Sequence, residues 1–137
     1  MKIGMMTRWN VSCGVAAHAE PLGRAWVEMG HELKVFAPVE WDAPQTQEDE
    51  PYVVRCYRLN SGRREKEGFF FDATPFLEDS FDVFVVQNPE LMPMPELLQI
   101  YPIIREKAKT VMVVHEGGPP KDPNFYKFRW DAIICFD

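Results

Sequence analysis

Three apolar runs of the sequence are each followed at once by side chains that could bind a polar ligand. The runs are Lys2–Met6, Asp82–Gln87 and Thr110–Val114. The residues at their ends combine hydrogen-bond donors, acceptors, small residues and a titratable imidazole, a mixture suited to hydroxyl-rich or phosphorylated ligands. They are Arg8, Asn10, Gly14, Gln87, Asn88, Glu90, His115, Glu116, Gly117 and Lys121.

His115 is the strongest single candidate because it comes straight after an apolar run and before Gly-Gly-Pro-Pro. This position points it at the rim of a sheet, where its imidazole could donate a hydrogen bond to a sugar hydroxyl or a phosphate. A structural histidine with satisfied hydrogen bonds accounts for the same position. His18, one turn into a predicted helix, could face the same cleft or simply be half-buried.

The loop Thr7–Gly14 could hold an anion. Gly14 would let a ligand approach the backbone closely, and the amides of Gly14, Val15 and Ala16 would be free at a helix start. Free N–H groups and the helix dipole favour phosphate or carboxylate. In the alternative interpretation, Gly14 only permits a tight turn and Ser12 caps the helix.

Several other chemistries lack their motifs. The sequence has neither GxGxxG after the first apolar run nor GxxxxGK[ST], so no nicotinamide dinucleotide or nucleoside triphosphate site is predicted. It has no CxxC or HxxxH pair and no Asp-x-Asp at a strand end, so no metal site is predicted. Cys13 follows the first strand as a phosphatase nucleophile would, but the sixth residue after it is Ala19 rather than an arginine.

The stretch from Lys2 to Pro38 positions the first loop, since it has the pattern of a strand, a loop, a helix and a second strand. Gly30 supplies the left-handed residue that ends the helix. Pro21 should either kink the helix or leave the regular helix to begin near Glu20. Apolar residues spaced three to four apart form its buried face: Val15, Ala19, Leu22, Trp26 and Met29.

The rest of the chain alternates strand-like and helical patterns. Phe69–Phe71 is expected to pack under the sheet, although three phenylalanines could instead reach a membrane or a partner. Pro102 should break or kink the helix in which it lies. The predicted segments are an exposed acidic loop at Glu40–Pro51, an edge strand at Tyr52–Leu59, a solvated turn at Asn60–Gly68, a short helix within Asp72–Ser80, a loop at Asn88–Pro95, a helix at Glu96–Lys107, a short helix at Asp122–Arg129 and a strand at Asp131–Phe136.

This alternation predicts one α/β domain with three layers, namely a Rossmann-like, doubly wound, mostly parallel sheet of five to six strands between helices. Parallel strands place the loops at their carboxyl ends along one edge of the sheet. The three candidate loops should therefore converge.

Composition narrows the class of protein. The 137 residues carry a net charge of −6, which disfavours binding to nucleic acid through bulk charge. No apolar run approaches the ~18 residues of a membrane span, and the amino terminus lacks a signal-peptide core. Three unpaired cysteines are typical of reduced thiols. A soluble cytoplasmic protein is predicted.

Three segments carry a likeness to a known family: CGVAAHAEPLGRAWVEMGHELKVFAP, DVFVVQNPEL and TVMVVHEGG. They are similar to a glycine loop with its helix and following strand, to a strand that ends in His or Gln, and to a strand that ends in His before an acid. Their order and spacing agree over nearly the whole chain. The chain thus resembles the amino-terminal, acceptor-side domain of family 4 (group 1) glycosyltransferases, which have the GT-B architecture.

The resemblance implies retaining transfer from a nucleotide-diphosphate sugar to a sugar or lipid-linked acceptor, without a metal or other cofactor. His115 would be the active-site histidine near the transferred sugar, and the loop at Gly14 would face the donor phosphates. Cys13 replaces the usual first glycine of that loop. The residues expected to bind donor phosphates or substrate are Cys13, Gly14, Val15, His18, Gln87, Asn88, Glu116 and Gly117.

Such enzymes also need a second Rossmann-like domain that binds the donor nucleotide, and residues 1–137 contain no counterpart. The chain is therefore expected to be a truncated half that needs a donor-binding domain from the same or another chain. Alone it should be inactive or nearly so. A non-catalytic binding or interaction module that keeps the fold is the alternative, and contact with a membrane surface is left open.

Overall fold

A computed structural model describes residues 1–40, 43–60 and 68–136. The turn predicted at Asn60–Gly68 lies mostly outside the described residues. Within them, six strands form one all-parallel sheet, and this confirms the predicted fold class. The strands are β1 (Lys2–Met6), β2 (Glu32–Pro38), β3 (Val53–Tyr57), β4 (Val83–Gln87), β5 (Lys109–Val114) and β6 (Ala132–Cys135).

Helices lie on both faces of the sheet, whose strand order is β3-β2-β1-β4-β5-β6. The predicted edge strand is indeed the edge strand β3. One hydrophobic cluster joins the first helix to one face, and a larger, phenylalanine-rich cluster joins the later helices to the other. The helices are α1 (Gly14–Glu28), the single turn α2 (Thr74–Leu77), α3 (Met94–Arg105) and two short 3₁₀ helices at Pro89–Leu91 and Pro123–Lys127.

The three central strands lie side by side and run in the same direction. β1 pairs with β2 on one side and with β4 on the other, and β4 also pairs with β5. Nearly every residue of β4 is apolar and buried, the pattern of a strand covered on both faces. The carboxyl ends of β1, β4 and β5 therefore lie at one edge of the sheet.

The helices continue past their internal prolines. α1 contains Pro21 and α3 contains Pro102. A helix beginning only near Glu20 was therefore a wrong prediction, and so was a break at Pro102. Both proline rings are exposed, so each removes one helical hydrogen bond without displacing a core side chain.

The ends of two helices differ in detail from the sequence predictions. Gly30 has a φ of 92° and ends the first helix as predicted. Met29, however, follows α1 and is 70% exposed, so its place on the buried face was wrong. The segment Asn88–Pro95 is not a plain loop, because it contains a 3₁₀ turn and the first two residues of α3.

The aromatic segment before α2 mostly joins the core, as expected. Phe71 stacks on Phe76 with ring centroids 5.3 Å apart, and Phe76 in turn stacks on Phe36 at 4.2 Å. Phe70 remains 38% exposed. The single turn α2 is thus fixed by its buried ring rather than by its four residues of helix, which are too few to be stable alone.

Candidate functional site

The loops after β4 and β5 meet, as the parallel sheet predicts. His115 Nε2 lies 2.8 Å from the side-chain oxygen of Gln87, which is fully buried at the end of β4. In the next pair along, Asn88 Nδ2 donates to a carboxylate oxygen of Glu116 at 3.2 Å. Two hydrogen bonds therefore fix these four predicted site residues relative to one another.

The first helix reaches the same place through His18. The His18 and His115 rings lie 5.2 Å apart, centroid to centroid, in an edge-to-face arrangement. Phe136, just after β6, contacts both imidazoles at 4.9 and 5.2 Å. The sequence left open whether His18 faces the cleft or is half-buried. The structure shows both, because the His18 ring is partly covered and forms one wall of the cluster.

Burial lowers the pKa of His115 from its ordinary value of 6.5, and the positive charge that His18 can carry lowers it further. Glu116, the smallest of the three causes, raises the pKa. The neutral form of His115 therefore predominates at pH 7. With Gln87 accepting from Nε2–H, the other ring nitrogen carries the lone pair.

We expect an NMR titration to place the pKa of His115 below 6.5. Since the folded-state pKa is the lower one, the neutral imidazole stabilises the fold above pH 6.5, and this contribution is lost as the pH falls through the folded-state value. Phe136→Ala should bring the pKa back toward 6.5, because it exposes the ring, whereas Phe136→Leu should preserve most of the shift. A wild-type pKa at or above 6.5 would contradict the burial of this ring.

The start of α1 offers backbone donors beside this cluster. Cys13 is the N-cap, and its Sγ accepts from the amide of Ala16 at 3.3 Å. Capping by Ser12, the alternative weighed above, was wrong. The amides of Gly14 and Val15 find no acceptor among the residues that the structure describes. The side chain of Val15 is buried, so only its N–H group can face a ligand.

Gly14 is not required by packing. A Cβ built on Gly14 meets no atom within 4 Å, and this residue has no positive φ. Gly117, after β5, is equally open. The space in front of both glycines is therefore free for a ligand.

Because of this open space, Gly14→Ala should leave the fold intact. Alanine at a helix start costs no contact and loses less conformational entropy on folding than glycine, so the free energy of unfolding should stay equal or rise by up to about 1 kcal/mol. Denaturant unfolding measures this directly. A loss of more than about 1 kcal/mol would show that the glycine has a structural role.

The acidic segment expected to be a merely exposed loop instead holds the first loop in place. The carboxylate of Glu50 accepts four hydrogen bonds, from Trp9 Nε1, Asn10 Nδ2, Arg24 Nε and the Tyr52 hydroxyl, at 2.9 to 3.1 Å. Burial opposes ionisation of Glu50, but these donors outweigh it and lower its pKa from 4.5 to about 2. The loop after β1 is thus anchored by a segment 40 residues away.

Asp49 strengthens the same anchor. It binds Arg55 through two hydrogen bonds of 2.7 and 2.9 Å and accepts from Asn10 at 3.0 Å. Asn10 is completely buried, with a φ of 54°. Arg8 is paired with Glu40 at 2.8 Å. Asn10 and Arg8, both candidates for ligand binding in the sequence, are therefore used to shape the loop.

The predicted residues converge on one edge but do not share a single cavity. A shallow cavity of about 510 Å³ lies against Ser12, Cys13 and Gly14. A second, of about 480 Å³, lies against Glu90, Glu116 and Lys121. The two cavities share no lining residue, so the edge forms an open surface rather than an enclosed pocket.

No three His, Cys, Asp or Glu side chains in residues 1–40, 43–60 and 68–136 are close enough together to hold one metal ion. Cys13, Cys56 and Cys135 are all free thiols. Burial raises the pKa of the Cys56 thiol to about 12, which makes it unreactive.

The fold and this edge define a Rossmann-like α/β domain with polar loops at the carboxyl ends of its central strands, where such sheets bind ligands. No protein-family model matches the chain. In the part of the chain that the structure describes, every helix is too short or too polar to cross a bilayer.

Proposed function

We propose that this chain is the acceptor-binding half of a retaining glycosyltransferase that uses a nucleotide-diphosphate sugar. The observation that carries the proposal is the contact of His18 on α1 with His115 after β5, 2.8 Å from Gln87. This contact links the first turns of α1, which follow the loop Thr7–Gly14, to the ends of β4 and β5. A GT-B enzyme needs these loops to face its second domain.

Each part of the edge has a chemical task in this proposal. The free amides of Gly14 and Val15, at the positive end of α1, suit the negative charge that develops on the leaving diphosphate. The neutral imidazole of His115 positions the transferred sugar through a hydrogen bond. Further positive charge for the diphosphate would come from the donor-binding half.

The openness of the edge supports an incomplete site. An active site that excludes water usually encloses most of its ligand, whereas both cavities at this edge are open and shallow. A second domain that closes over the edge would provide the missing wall. The donor-binding half is therefore the partner that the proposal requires.

The test is turnover of a panel of nucleotide-diphosphate sugars, with this chain alone and with this chain combined with a donor-binding domain, either in one polypeptide or as a separate chain. Turnover by the combined protein and none by residues 1–137 is the expected result. Equal turnover by the two would refute the need for a second half. Absence of turnover by both, with every acceptor class, would refute the transferase proposal itself.

A specific surface favours the alternative, a non-catalytic interaction module. A cavity of about 460 Å³ lies between α1 and the sheet face of β1, β4, β5 and β6, and its lining is apolar apart from His18 and His31. It includes Trp26, Val111 and Ile134, the last of which is 48% exposed. Apolar surface of this kind is typical of a face that another element covers.

The two functions predict different effects of one substitution. If the chain is an interaction module, Val111→Glu should abolish its association with a second copy or a partner, as measured by size exclusion. His115→Ala should leave that association unchanged. In the transferase, His115→Ala should abolish turnover without altering the association state. The variants thus separate a binding face from a reaction site.

A further inference from the structure

A surface at the opposite edge of the sheet from the His18–His115 cluster carries an excess of positive charge. A cavity of about 430 Å³ lies between the second half of α3 and the segment leading to β6. Arg105, Lys127 and Arg129 line it, with Glu106 as the single acid of the lining. The lining thus carries three positive charges against one negative, in a chain whose net charge is −6.

These cations are incompletely neutralised by the protein. Arg105 lies 3.3 Å from Asp131, but the other oxygen of that carboxylate accepts the backbone amide of Thr110 at 2.8 Å. Within residues 1–40, 43–60 and 68–136, the one hydrogen-bond acceptor of the Lys127 ammonium is the side-chain oxygen of Asn124, at 3.2 Å. Arg129 has no carboxylate partner among the described residues. At least one full positive charge therefore remains available to a ligand.

The backbone that carries Arg129 is held rigidly. Its carbonyl accepts from the Tyr101 hydroxyl at 2.8 Å. The residues on either side, Phe128 and Trp130, stack on each other at 5.0 Å and both contact the Tyr101 ring. A guanidinium on a fixed backbone loses less entropy on binding than one on a mobile loop.

The cavity is separate from the proposed transferase site. Arg105 ends α3 and Asp131 precedes β6, so both lie at the amino edge of the strands. His115 follows β5 at the carboxyl edge. The six residues of β5, about 20 Å at the usual rise of a strand, separate the two edges.

We propose that this cavity, the Arg129 cavity, binds a phosphate group. Arginine is well suited to this task, because its planar fork of donors matches phosphate oxygens and it stays charged when desolvated. The aromatic and aliphatic floor formed by Tyr101 and Pro102 would accept the organic part attached to the phosphate. Such a group can belong to a free phosphate ester or to a phospholipid headgroup.

The test uses the full 137-residue chain and ¹⁵N NMR titrations with inorganic phosphate and with pyrophosphate at low ionic strength. We expect the amide signals of Arg105, Lys127 and Arg129 to shift together. Arg129→Gln should weaken binding about tenfold, the loss of one charge-assisted contact, and should leave the Arg105–Asp131 pair intact. Lys2→Gln, which removes one cation of β1 that does not line the cavity, is the matched control and should bind as wild type does.

A second arm distinguishes the source of the phosphate. Vesicles of phosphatidylglycerol and of phosphatidylcholine are floated with the wild-type chain and with the Arg129→Gln variant. Binding to phosphatidylglycerol that the substitution abolishes assigns the cavity to a headgroup, whereas phosphate binding without vesicle binding assigns it to a free ester. The proposal is overturned if neither phosphate, pyrophosphate nor vesicles bind, if Arg129→Gln and Lys2→Gln weaken binding equally, or if the shifts occur at Gly14 and Val15 instead.

Discussion

Glu50→Gln is expected to lower the free energy of unfolding at pH 7 by about 3 kcal/mol. The Glu50 carboxylate accepts hydrogen bonds from four side chains, and only 20% of the Glu50 side chain is exposed. The difference between its lowered pKa of about 2 and the ordinary 4.5, at about 1.4 kcal/mol per pH unit, gives this magnitude. Denaturant unfolding of both proteins measures it.

Glu50→Gln should also remove part of the loss in free energy of unfolding that acid causes in the wild-type protein. Because the folded-state pKa of Glu50 is the lower one, its stabilisation is complete above pH 4.5 and is lost as the pH falls from 4.5 toward 2. Wild type and variant should therefore converge in stability at low pH. Glu48→Gln, an exposed neighbour in the same segment, serves as the control and should change stability by less than about 0.5 kcal/mol. Equal effects at the two positions would contradict the anchoring role of Glu50.

His115→Ala, in the chain combined with its donor-binding domain, is expected to reduce kcat by about 10²-fold. The imidazole positions the transferred sugar in this proposal, and a misplacement of about 1 Å can cost about 10²-fold in rate. The fold should survive, because the ring is only partly buried at the rim and its partner Gln87 can bind water instead. Steady-state kinetics and circular dichroism test the two statements separately.

His31→Ala is the matched control for that variant. The imidazole of His31 contacts the amino-terminal ammonium at 2.9 Å, at the opposite edge of the sheet. Its loss should leave kcat within about twofold of wild type, since surface changes remote from the reacting groups have small effects. A kcat unaffected by His115→Ala would remove His115 from the reaction.

Sequence reasoning succeeded where a strong local pattern coincided with burial. The runs that became β1, β4 and β5 are mostly apolar, and this pattern is typical of strands covered on both faces. The convergence of His115 with Gln87 then followed from parallel topology alone. Such long-range placement is predictable because the sheet leaves few alternatives.

The anchor of the first loop could not be predicted in the same way. Glu50 and Trp9 are 41 residues apart, and nothing local in the acidic segment distinguishes Glu50 from the exposed Glu48. Only the folded chain shows which carboxylate meets donors. The prediction that Asn10 binds a ligand was wrong for the same reason, because a buried asparagine and a ligand-binding one can have the same local sequence.

Prolines account for the wrong predictions at helix boundaries. Pro95 lies in the first turn of α3, where proline is favoured, so the segment of three prolines hid a helix start rather than extending a loop. The buried Met94 just before it was the available signal. Pro21 and Pro102 were tolerated because the packed faces of their helices outweigh one lost hydrogen bond.

The most direct measurement is a ¹⁵N NMR titration of residues 1–137 with a nucleotide-diphosphate sugar such as UDP-glucose, together with candidate acceptor sugars. The account predicts that one ligand shifts the signals of Gly14, Val15 and His115 together, and that His115→Ala weakens this binding while Arg129→Gln does not. Shifts confined to Arg105 and Arg129, or shifts at Gly14 that do not extend to His115, would contradict a common site at the carboxyl edge of the sheet.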